Sequence, residues 1–246
     1  MSRLAEKVAL VTGGSRGIGA AIAKRLAADG ASVAITYAKD GAAAAAVVGE
    51  IEREGGRAVA IQAEAADAKA VQGAVERTVT TFGRLDVLVN NAGTAFPKPF
   101  EETSLEEMDR VININFRGSM VATQAALKHM KSGGRIIMIG SAVGERVAAP
   151  GLVAYAGTKG AVKMFAQALS RELGSRGITV NNVQPGPIDT DLNPAAGDWA
   201  VPQKAATALN RYGHVDEIAA MVAFVAGPES SYMTGANLTV DGGMNA

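Results

Sequence analysis

The sequence predicts a doubly wound α/β fold with seven parallel strands. Seven short runs rich in valine, isoleucine and leucine recur along the 246 residues, and stretches of helix-forming residues separate them. Continuous apolar strands joined through helices are typical of a parallel sheet that is covered on both faces. No internal repeat and no linker interrupts this alternation, so we expect a single domain over residues 1–246.

Apolar runs and helical spacing predict the individual strands and helices. The predicted strands are apolar runs at residues 8–11, 32–36, 58–62, 85–90, 135–139, 179–184 and 237–240. The predicted helices carry apolar residues at helical spacing and span 18–28, 42–54, 68–81, 105–131, 153–174 and 216–225. Left-handed glycines commonly end helices, and the candidates are Gly30, Gly83, Gly133 and Gly177.

Residues 194–212 break the alternation of strands and helices. They include Pro194, Gly197 and Pro202, and a long irregular loop in a compact domain usually has a function. We therefore expect a substrate lid at about residues 190–212. Its tryptophan, Trp199, is expected to pack either on substrate or on the neighbouring helix.

The composition disfavours several classes of function. The 24 basic and 24 acidic residues cancel, so the chain lacks the positive charge that attracts nucleic acids and anionic membranes. It has no cysteine and two histidines, which disfavours a metal site. No apolar run approaches the roughly 20 residues that span a bilayer, and no signal-peptide core precedes the first strand. We expect a soluble cytoplasmic protein that binds neither nucleic acid nor membrane.

A glycine-rich turn, TGGSRGIG at residues 12–19, follows the first strand. Glycines let a backbone turn tightly and approach a pyrophosphate, and a helix N-terminus offers free N–H groups. The spacing of Gly13, Gly17 and Gly19 differs from the common GxGxxG pattern. An ordinary strand-to-helix turn is therefore the alternative interpretation.

Tyr155 and Lys159 occupy positions i and i+4 on one face of a predicted helix. A nearby cation favours the phenolate and lowers a tyrosine pKa from its usual value of about 10. Such a tyrosine can exchange a proton during catalysis. The pair alone is a weak signal, and a surface pair without function is the alternative.

Further motifs follow the other strands in a characteristic order. NNAG at residues 90–93 follows the fourth strand, Ser141 the fifth, and Pro185 and Gly186 with Thr190 the sixth. With Asn115 and the two motifs above, the chain resembles the short-chain dehydrogenase/reductase family from end to end. The resemblance implies a Rossmann-type oxidoreductase whose ligands bind beyond the carboxyl ends of the strands.

The resemblance also implies individual roles. Tyr155 would donate a proton to the substrate oxygen, and Ser141 would orient and polarise the carbonyl. Lys159 would hold the nicotinamide ribose and depress the tyrosine pKa, while Asn115 would position a water that links Lys159 to solvent. The alternatives are a strand-end hydroxyl for Ser141 and a structural cap near a helix bend for Asn115. The expected cofactor-binding residues are Gly13, Ser15, Arg16, Gly17, Ile18, Gly19, Tyr37, Lys39, Glu64, Ala65, Asn91, Ala92, Gly93, Tyr155, Lys159, Pro185, Gly186, Ile188 and Thr190.

The chain departs from the family pattern in three places, and the third concerns the substrate. Glu64 stands where a shorter acid usually meets the adenine amino group, and a solvated loop carboxylate is the alternative. Ser141 and Tyr155 lie fourteen positions apart, one more than the commonest family spacing. We therefore expect residues 145–153 to bulge into or over the pocket.

The end of the second strand favours NADP(H) over NAD(H). An acid there would bind the ribose hydroxyls of NAD and repel a 2′-phosphate, but the chain has Tyr37, Ala38 and Lys39 instead. Arg16 can pair with a phosphate, and Lys39 adds a second cation. Asp40 is interpreted as the N-cap of the next helix.

Within the family, the motifs REL at 171–173, ITVN at 178–181 and the segment 234–243 resemble the 3-oxoacyl-acyl-carrier-protein reductase subgroup. Acyl carrier proteins are acidic, so docking needs cations near the mouth of the site. Arg176 matches one docking arginine of the subgroup, whereas the other falls on Ser132, next to Lys131.

We therefore expect a carbonyl reductase, or alcohol dehydrogenase, for a small and fairly apolar ketone or aldehyde. Reduction of carrier-bound 3-oxoacyl groups is the first alternative, and a nucleotide-binding regulator that retains the fold is the second. The resemblance implies a homotetramer, and helices 105–131 and 153–174 are apolar around more of their circumference than one sheet face can cover. Met120, Met164 and Met221 are interpreted as core residues.

Overall fold

The computed structural model describes residues 3–147 and 149–246. Within them lies a seven-stranded parallel sheet with the order β3-β2-β1-β4-β5-β6-β7. Its strands are β1 Val8–Val11, β2 Ser32–Tyr37, β3 Arg57–Gln62, β4 Val87–Asn90, β5 Arg135–Ile139, β6 Thr179–Pro185 and β7 Asn237–Val240. The predicted Rossmann-type fold is confirmed, and the strand bounds move by at most two residues.

Helices cover both faces of the sheet. In the described ranges they are α1 Gly17–Ala28, α2 Gly41–Arg53, α3 Ala68–Phe82, α4 Leu105–Ile112, α5 Gly118–Ala126, α6 Val153–Leu173, α7 Ala200–Ala205 and α8 Val215–Ala226. One apolar core joins the sheet to α1, α2 and α8, and a second joins it to α3, α5 and α6. No helix in the described part of the chain combines the length and the apolar composition needed to cross a membrane.

Local sequence explains where several helices begin. The Asp40 carboxylate accepts the N–H of Ala43 at 2.9 Å, so the interpretation of Asp40 as the N-cap of α2 is confirmed. At the start of α4, Ser104 and Glu107 form a reciprocal capping box. The four glycines expected to be left-handed all have a positive φ.

The prediction of one helix over residues 105–131 is wrong. A π-helical turn, Asn113–Arg117, separates α4 from α5. The extra residue of such a turn breaks the regular ladder, and π-helical turns often occur at functional sites. After α5, the Arg176 guanidinium donates to the carbonyls of Leu127 at 2.9 Å and Met130 at 3.3 Å, which satisfies groups that a continuing helix would have paired.

Residues 194–212 are less irregular than the sequence suggested, because they contain α7. Tyr212 is buried, and its hydroxyl donates to the Asn193 side chain at 3.3 Å. The Leu209 N–H donates to the Gly242 carbonyl at 3.1 Å, so the segment rests on the C-terminal residues. Trp199 is 57% exposed.

Candidate active site

The glycine turn after β1 adopts the backbone that a close approach to a ligand needs. Gly13 and Gly17 have φ of +65° and +52°, a region that residues with a Cβ rarely adopt. A Cβ on Gly19 would collide with the Gly13 carbonyl oxygen. Arg16, the N-cap of α1, makes no side-chain capping bond, so no cap side chain occupies the N–H groups of the first turn. Ser15 and Ile18 are partly buried beside them.

Asn91 holds this turn in place. Its side-chain amide donates to the carbonyls of Thr12 at 2.9 Å and Gly13 at 3.0 Å. The Thr12 hydroxyl in return accepts the N–H groups of Asn91 and Ala92 at 2.9 and 3.1 Å. Asn91 therefore joins the end of β4 to the end of β1, a positioning role that the sequence did not reveal.

Arg16 and Lys39, the two cations expected to meet the 2′-phosphate, lie on the surface. The Arg16 guanidinium lies 3.4 Å from the Asp191 carboxylate, and both side chains are mostly exposed. Such a pair contributes little free energy. Lys39 is exposed, whereas Tyr37 is partly buried and close to Gly41. The guanidinium therefore remains available to an anionic ligand.

The loops after β3 and β4 line the same edge of the sheet. Glu64 and Ala65 are partly buried, and the Ala65 carbonyl packs against Gly118 at the start of α5. A Cβ on Gly93 would lie 3.6 Å from the Asn115 Oδ1 and 3.8 Å from the Lys159 Nζ. Gly93, one of the predicted cofactor-binding residues, therefore lies beside Lys159.

The loop after β6 lies beside the glycine turn. A Cβ on Gly17 would lie 3.4 Å from the Thr190 methyl group, so the loops after β1 and β6 meet. Pro185 and Ile188 are buried, and Gly186 packs closely against Asp241. The structure therefore brings the predicted cofactor residues to one edge of the sheet.

Three of the predicted catalytic side chains meet at the end of β5. The Ser141 side chain lies close enough to the Tyr155 hydroxyl to lower the pKa of that phenol. The Lys159 Nζ lies 5.6 Å from the centre of the Tyr155 ring and donates to the Ile139 carbonyl at 2.8 Å. The Val143 N–H donates to the Ser141 Oγ at 3.2 Å, which leaves the hydroxyl proton of Ser141 for donation.

Burial has the largest effect on the pKa values of Tyr155 and Lys159. It raises the pKa of Tyr155 above 10.0, although the nearby Ser141 side chain opposes this effect. Burial also lowers the pKa of Lys159 from 10.5 to about 8. Desolvation of the phenolate sets the direction of the Tyr155 shift in this structure, and the depression of that pKa by Lys159 stays a prediction. At neutral pH, Tyr155 keeps its proton, as a proton donor must.

Asn115 is buried in the π-helical turn, and both polar atoms of its side chain have hydrogen-bond partners. Its amide donates to the Thr94 carbonyl at 2.9 Å and the Thr158 hydroxyl at 3.1 Å, while its Oδ1 accepts the Thr94 N–H at 2.8 Å. The side chain thus ties the loop after β4 to α6, which agrees with the structural alternative.

The segment after Ser141 lies against the loop after β4. The Lys98 N–H donates to the Gly151 carbonyl at 3.1 Å. The predicted bulge at 145–153 includes residue 148, which lies outside the described residues. Two polar residues near Ser141, Glu145 and Gln184, could not be recognised from the sequence, because their contacts join different elements of the fold. In the described ranges, no group of three or more histidine or acidic side chains is arranged to hold a metal ion.

Several known proteins resemble this chain over nearly its whole length. The family described as enoyl-(acyl carrier protein) reductase matches residues 13–245. A short-chain dehydrogenase from Burkholderia cenocepacia J2315 in complex with NADP is 53% identical, with a TM-score of 0.98 over 99% of this chain and 100% of that chain. The cyclic-di-GMP-binding biofilm dispersal mediator protein of Escherichia coli is 43% identical over the full length of both chains. A 3-oxoacyl-[acyl-carrier-protein] reductase from Synechocystis sp. is 42% identical over 99% of each.

Proposed function

The chain belongs to the short-chain dehydrogenase/reductase family of oxidoreductases, and on that basis we propose that it uses NADP(H) to reduce the carbonyl of a small, apolar ketone or aldehyde. The observation that carries the proposal is the meeting of Ser141, Tyr155 and Lys159 beside the glycine turn. The NADP bound by the 53% identical relative supports the choice of cofactor. In the reverse direction the same site would oxidise an alcohol.

The residues of the groove fit a dinucleotide. The first turn of α1 offers N–H groups without a side-chain cap to the pyrophosphate, and the glycines leave room for its approach. Arg16 and Lys39 would face the 2′-phosphate, and Lys159 the nicotinamide ribose. When bound, the nicotinamide supplies the hydride that the carbonyl carbon accepts.

The protein supplies the proton and the polarisation. Ser141 donates a hydrogen bond to the carbonyl oxygen and so stabilises the negative charge that develops there. Tyr155 passes its hydroxyl proton to that oxygen, which yields the alcohol and leaves a phenolate. With a pKa of about 8, Lys159 is mostly an ammonium at pH 7, and its charge stabilises this phenolate until solvent returns the proton.

The surroundings favour an apolar substrate without a carrier. Exposed Leu192, Trp199 and Val201 of the lid region can cover an apolar substrate. Arg176, the proposed docking cation for acyl carrier protein, donates its guanidinium to two main-chain carbonyls of its own chain. That use of Arg176 weakens the first alternative.

The proposed function is tested with a panel of activated ketones and aldehydes. The fall in NADPH absorbance measures the oxidation of NADPH with each of them. The same 3-oxoacyl group is tested as a thioester of acyl carrier protein and as a thioester of a short thiol. Turnover of simple ketones supports the proposal, whereas turnover confined to the carrier-bound group supports the first alternative. Tight NADPH binding without any turnover would favour a regulator, the alternative to which the 43% identity with the cyclic-di-GMP-binding protein points.

Arg16→Ala is expected to weaken NADPH binding much more than NADH binding. Loss of an arginine contact to a phosphate costs about 1.5 to 3 kcal/mol, or roughly ten- to a hundredfold in affinity. The exposed pair with Asp191 offsets little of this loss. KM values for both cofactors measure the effect, with Arg53→Ala on α2 as the control. Equal losses for the two cofactors would show that Arg16 does not contact the 2′-phosphate.

We also propose one domain per chain and a homotetramer. Several large apolar side chains on α4, α5 and α6 are at least 41% exposed: Leu105, Ile112, Met120, Val153 and Met164. The interpretation of Met120 and Met164 as core residues is therefore wrong, whereas Met221 does pack against the core. An apolar surface of this kind commonly marks an interface. Light scattering at micromolar concentration is expected to give the mass of four chains of 25.1 kDa, and a monomer mass would contradict the proposal.

A further inference from the structure

The turn that carries Ser141 packs directly on the backbone of α6. Ala142–Gly144 form one 3-10 turn after Ser141. A Cβ on Gly144 would lie 2.9 Å from the main-chain carbon and oxygen of Lys159 and 3.2 Å from the Gly160 nitrogen. The turn and the helix therefore touch at the residue that neighbours Tyr155 on the helix face. Any slide of the turn along α6 changes the distance between Ser141 and Tyr155.

Glu145, the first residue after this turn, is bound on two sides. Its carboxylate lies 2.7 Å from the Lys163 Nζ, which is one helical turn beyond Lys159 on α6. The Gln184 side chain lies close enough to this carboxylate to contribute to the lowering of its pKa. Gln184 is fully buried in β6, and its amide donates to the Ser141 carbonyl at 3.4 Å. One carboxylate thus connects α6, β6 and the Ser141 turn.

The chain itself does not set the distance between the two catalytic hydroxyls, because thirteen residues separate Ser141 from Tyr155. We propose that the ion pair between Glu145 and Lys163, together with Gln184, positions Ser141 against Tyr155. Glu145 and Lys163 are positioning residues, since they act through the turn and through α6. The inference rests on the proposed proton-donor role of Tyr155.

The environment makes this ion pair stronger than an ordinary surface contact. The side chains of Glu145 and Lys163 are 31% and 29% exposed, so solvent screens their attraction only in part. The pair also lowers the pKa of the Glu145 carboxyl, which therefore stays ionised at neutral pH. On the opposite side, the Asn245 amide donates to the Ala142 carbonyl at 2.9 Å. Because that contact is independent of the ion pair, removal of the ion pair should not prevent folding.

Glu145→Gln and Lys163→Met are expected to lower kcat about tenfold, because small displacements of catalytic groups cost large factors in rate. KM and the NADPH dissociation constant should change less than about twofold, since neither residue contacts the groove. The kinetic isotope effect with deuterated NADPH should grow, as chemistry becomes more rate-limiting. Lys163→Arg preserves the charge and should restore most of the rate. Glu50→Gln removes another ion pair, with Lys24, far from the site and serves as the control.

A second measurement does not depend on turnover. The chain has four tyrosines, so 3-fluorotyrosine labelling gives a simple fluorine NMR spectrum in which Tyr155→Phe identifies the Tyr155 signal. Glu145→Gln should move or broaden that signal, whereas Glu50→Gln should leave it unchanged. An unmoved signal would overturn the proposed positioning even if no ketone is turned over. Loss of kcat in Lys163→Arg equal to that in Lys163→Met would also contradict it.

Discussion

Tyr155→Phe is expected to lower kcat by about a thousandfold, within the range that general acid catalysis supplies. The substitution keeps the ring and removes only the hydroxyl that would protonate the substrate oxygen. NADPH affinity should therefore stay within about threefold of the wild type. Stopped-flow or steady-state oxidation of NADPH measures the rate, and quenching or enhancement of NADPH fluorescence measures the affinity.

The matched control is Tyr232→Phe, which removes the same atom from a fully exposed ring. Its kcat should equal that of the wild type. The free energy of unfolding of Tyr155→Phe should fall by no more than about 1 kcal/mol, the usual contribution of one hydrogen bond. If this variant retains more than about a tenth of the wild-type kcat, Tyr155 is not the proton donor.

Lys159→Met is expected to harm catalysis and to stabilise the fold. The catalytic loss should appear in both kcat and cofactor affinity, because the lysine is assigned to the phenolate and to the ribose. We expect a fall in kcat/KM of at least about a hundredfold. Unchanged NADPH binding in this variant would reject the ribose contact.

The gain in stability follows from the buried ammonium. Lys159 is 5% exposed, and burial lowers its pKa from 10.5 to about 8. This depression corresponds to about 3 kcal/mol of unfolding free energy that the wild type lacks below pH 8. Removal of the lysine also leaves the Ile139 carbonyl without its donor, which costs about 1 to 3 kcal/mol. The expected net gain at pH 7 is about 1 kcal/mol, or a rise in Tm of about 2–4 °C.

The pH dependence of the stability difference distinguishes the loss of a buried charge from simple repacking of the side chain. Between pH 8 and 10.5 the unfolded lysine keeps its proton and the folded lysine has lost it. The unfolded state then binds more protons, so the stability of the wild type rises with pH relative to Lys159→Met. The advantage of the variant should shrink above pH 8 and vanish or reverse by about pH 10. A stability difference that does not change with pH would contradict a buried charge at Lys159.

The sequence by itself determined the sheet, the glycine turn and the pairing of Tyr155 with Lys159. Each depends on short-range periodicity: apolar runs predict buried strands, and the i, i+4 spacing places two side chains on one helix face. The N-cap at Asp40 and the left-handed glycines are local for the same reason. Such features depend on neighbours within four or five positions, and the sequence lists those neighbours directly.

The tertiary structure alone decided how these residues behave. Desolvation raises the Tyr155 pKa, although the adjacent lysine suggested the opposite, because the extent of burial depends on packing across the whole domain. Asn115, in the π-helical turn, hydrogen-bonds the main chain of Thr94 and the hydroxyl of Thr158 on another helix. Arg176 is used as a helix cap through contacts almost fifty positions away. Partners this distant in the chain become neighbours only when the sheet and its helices pack together, and no local pattern records them.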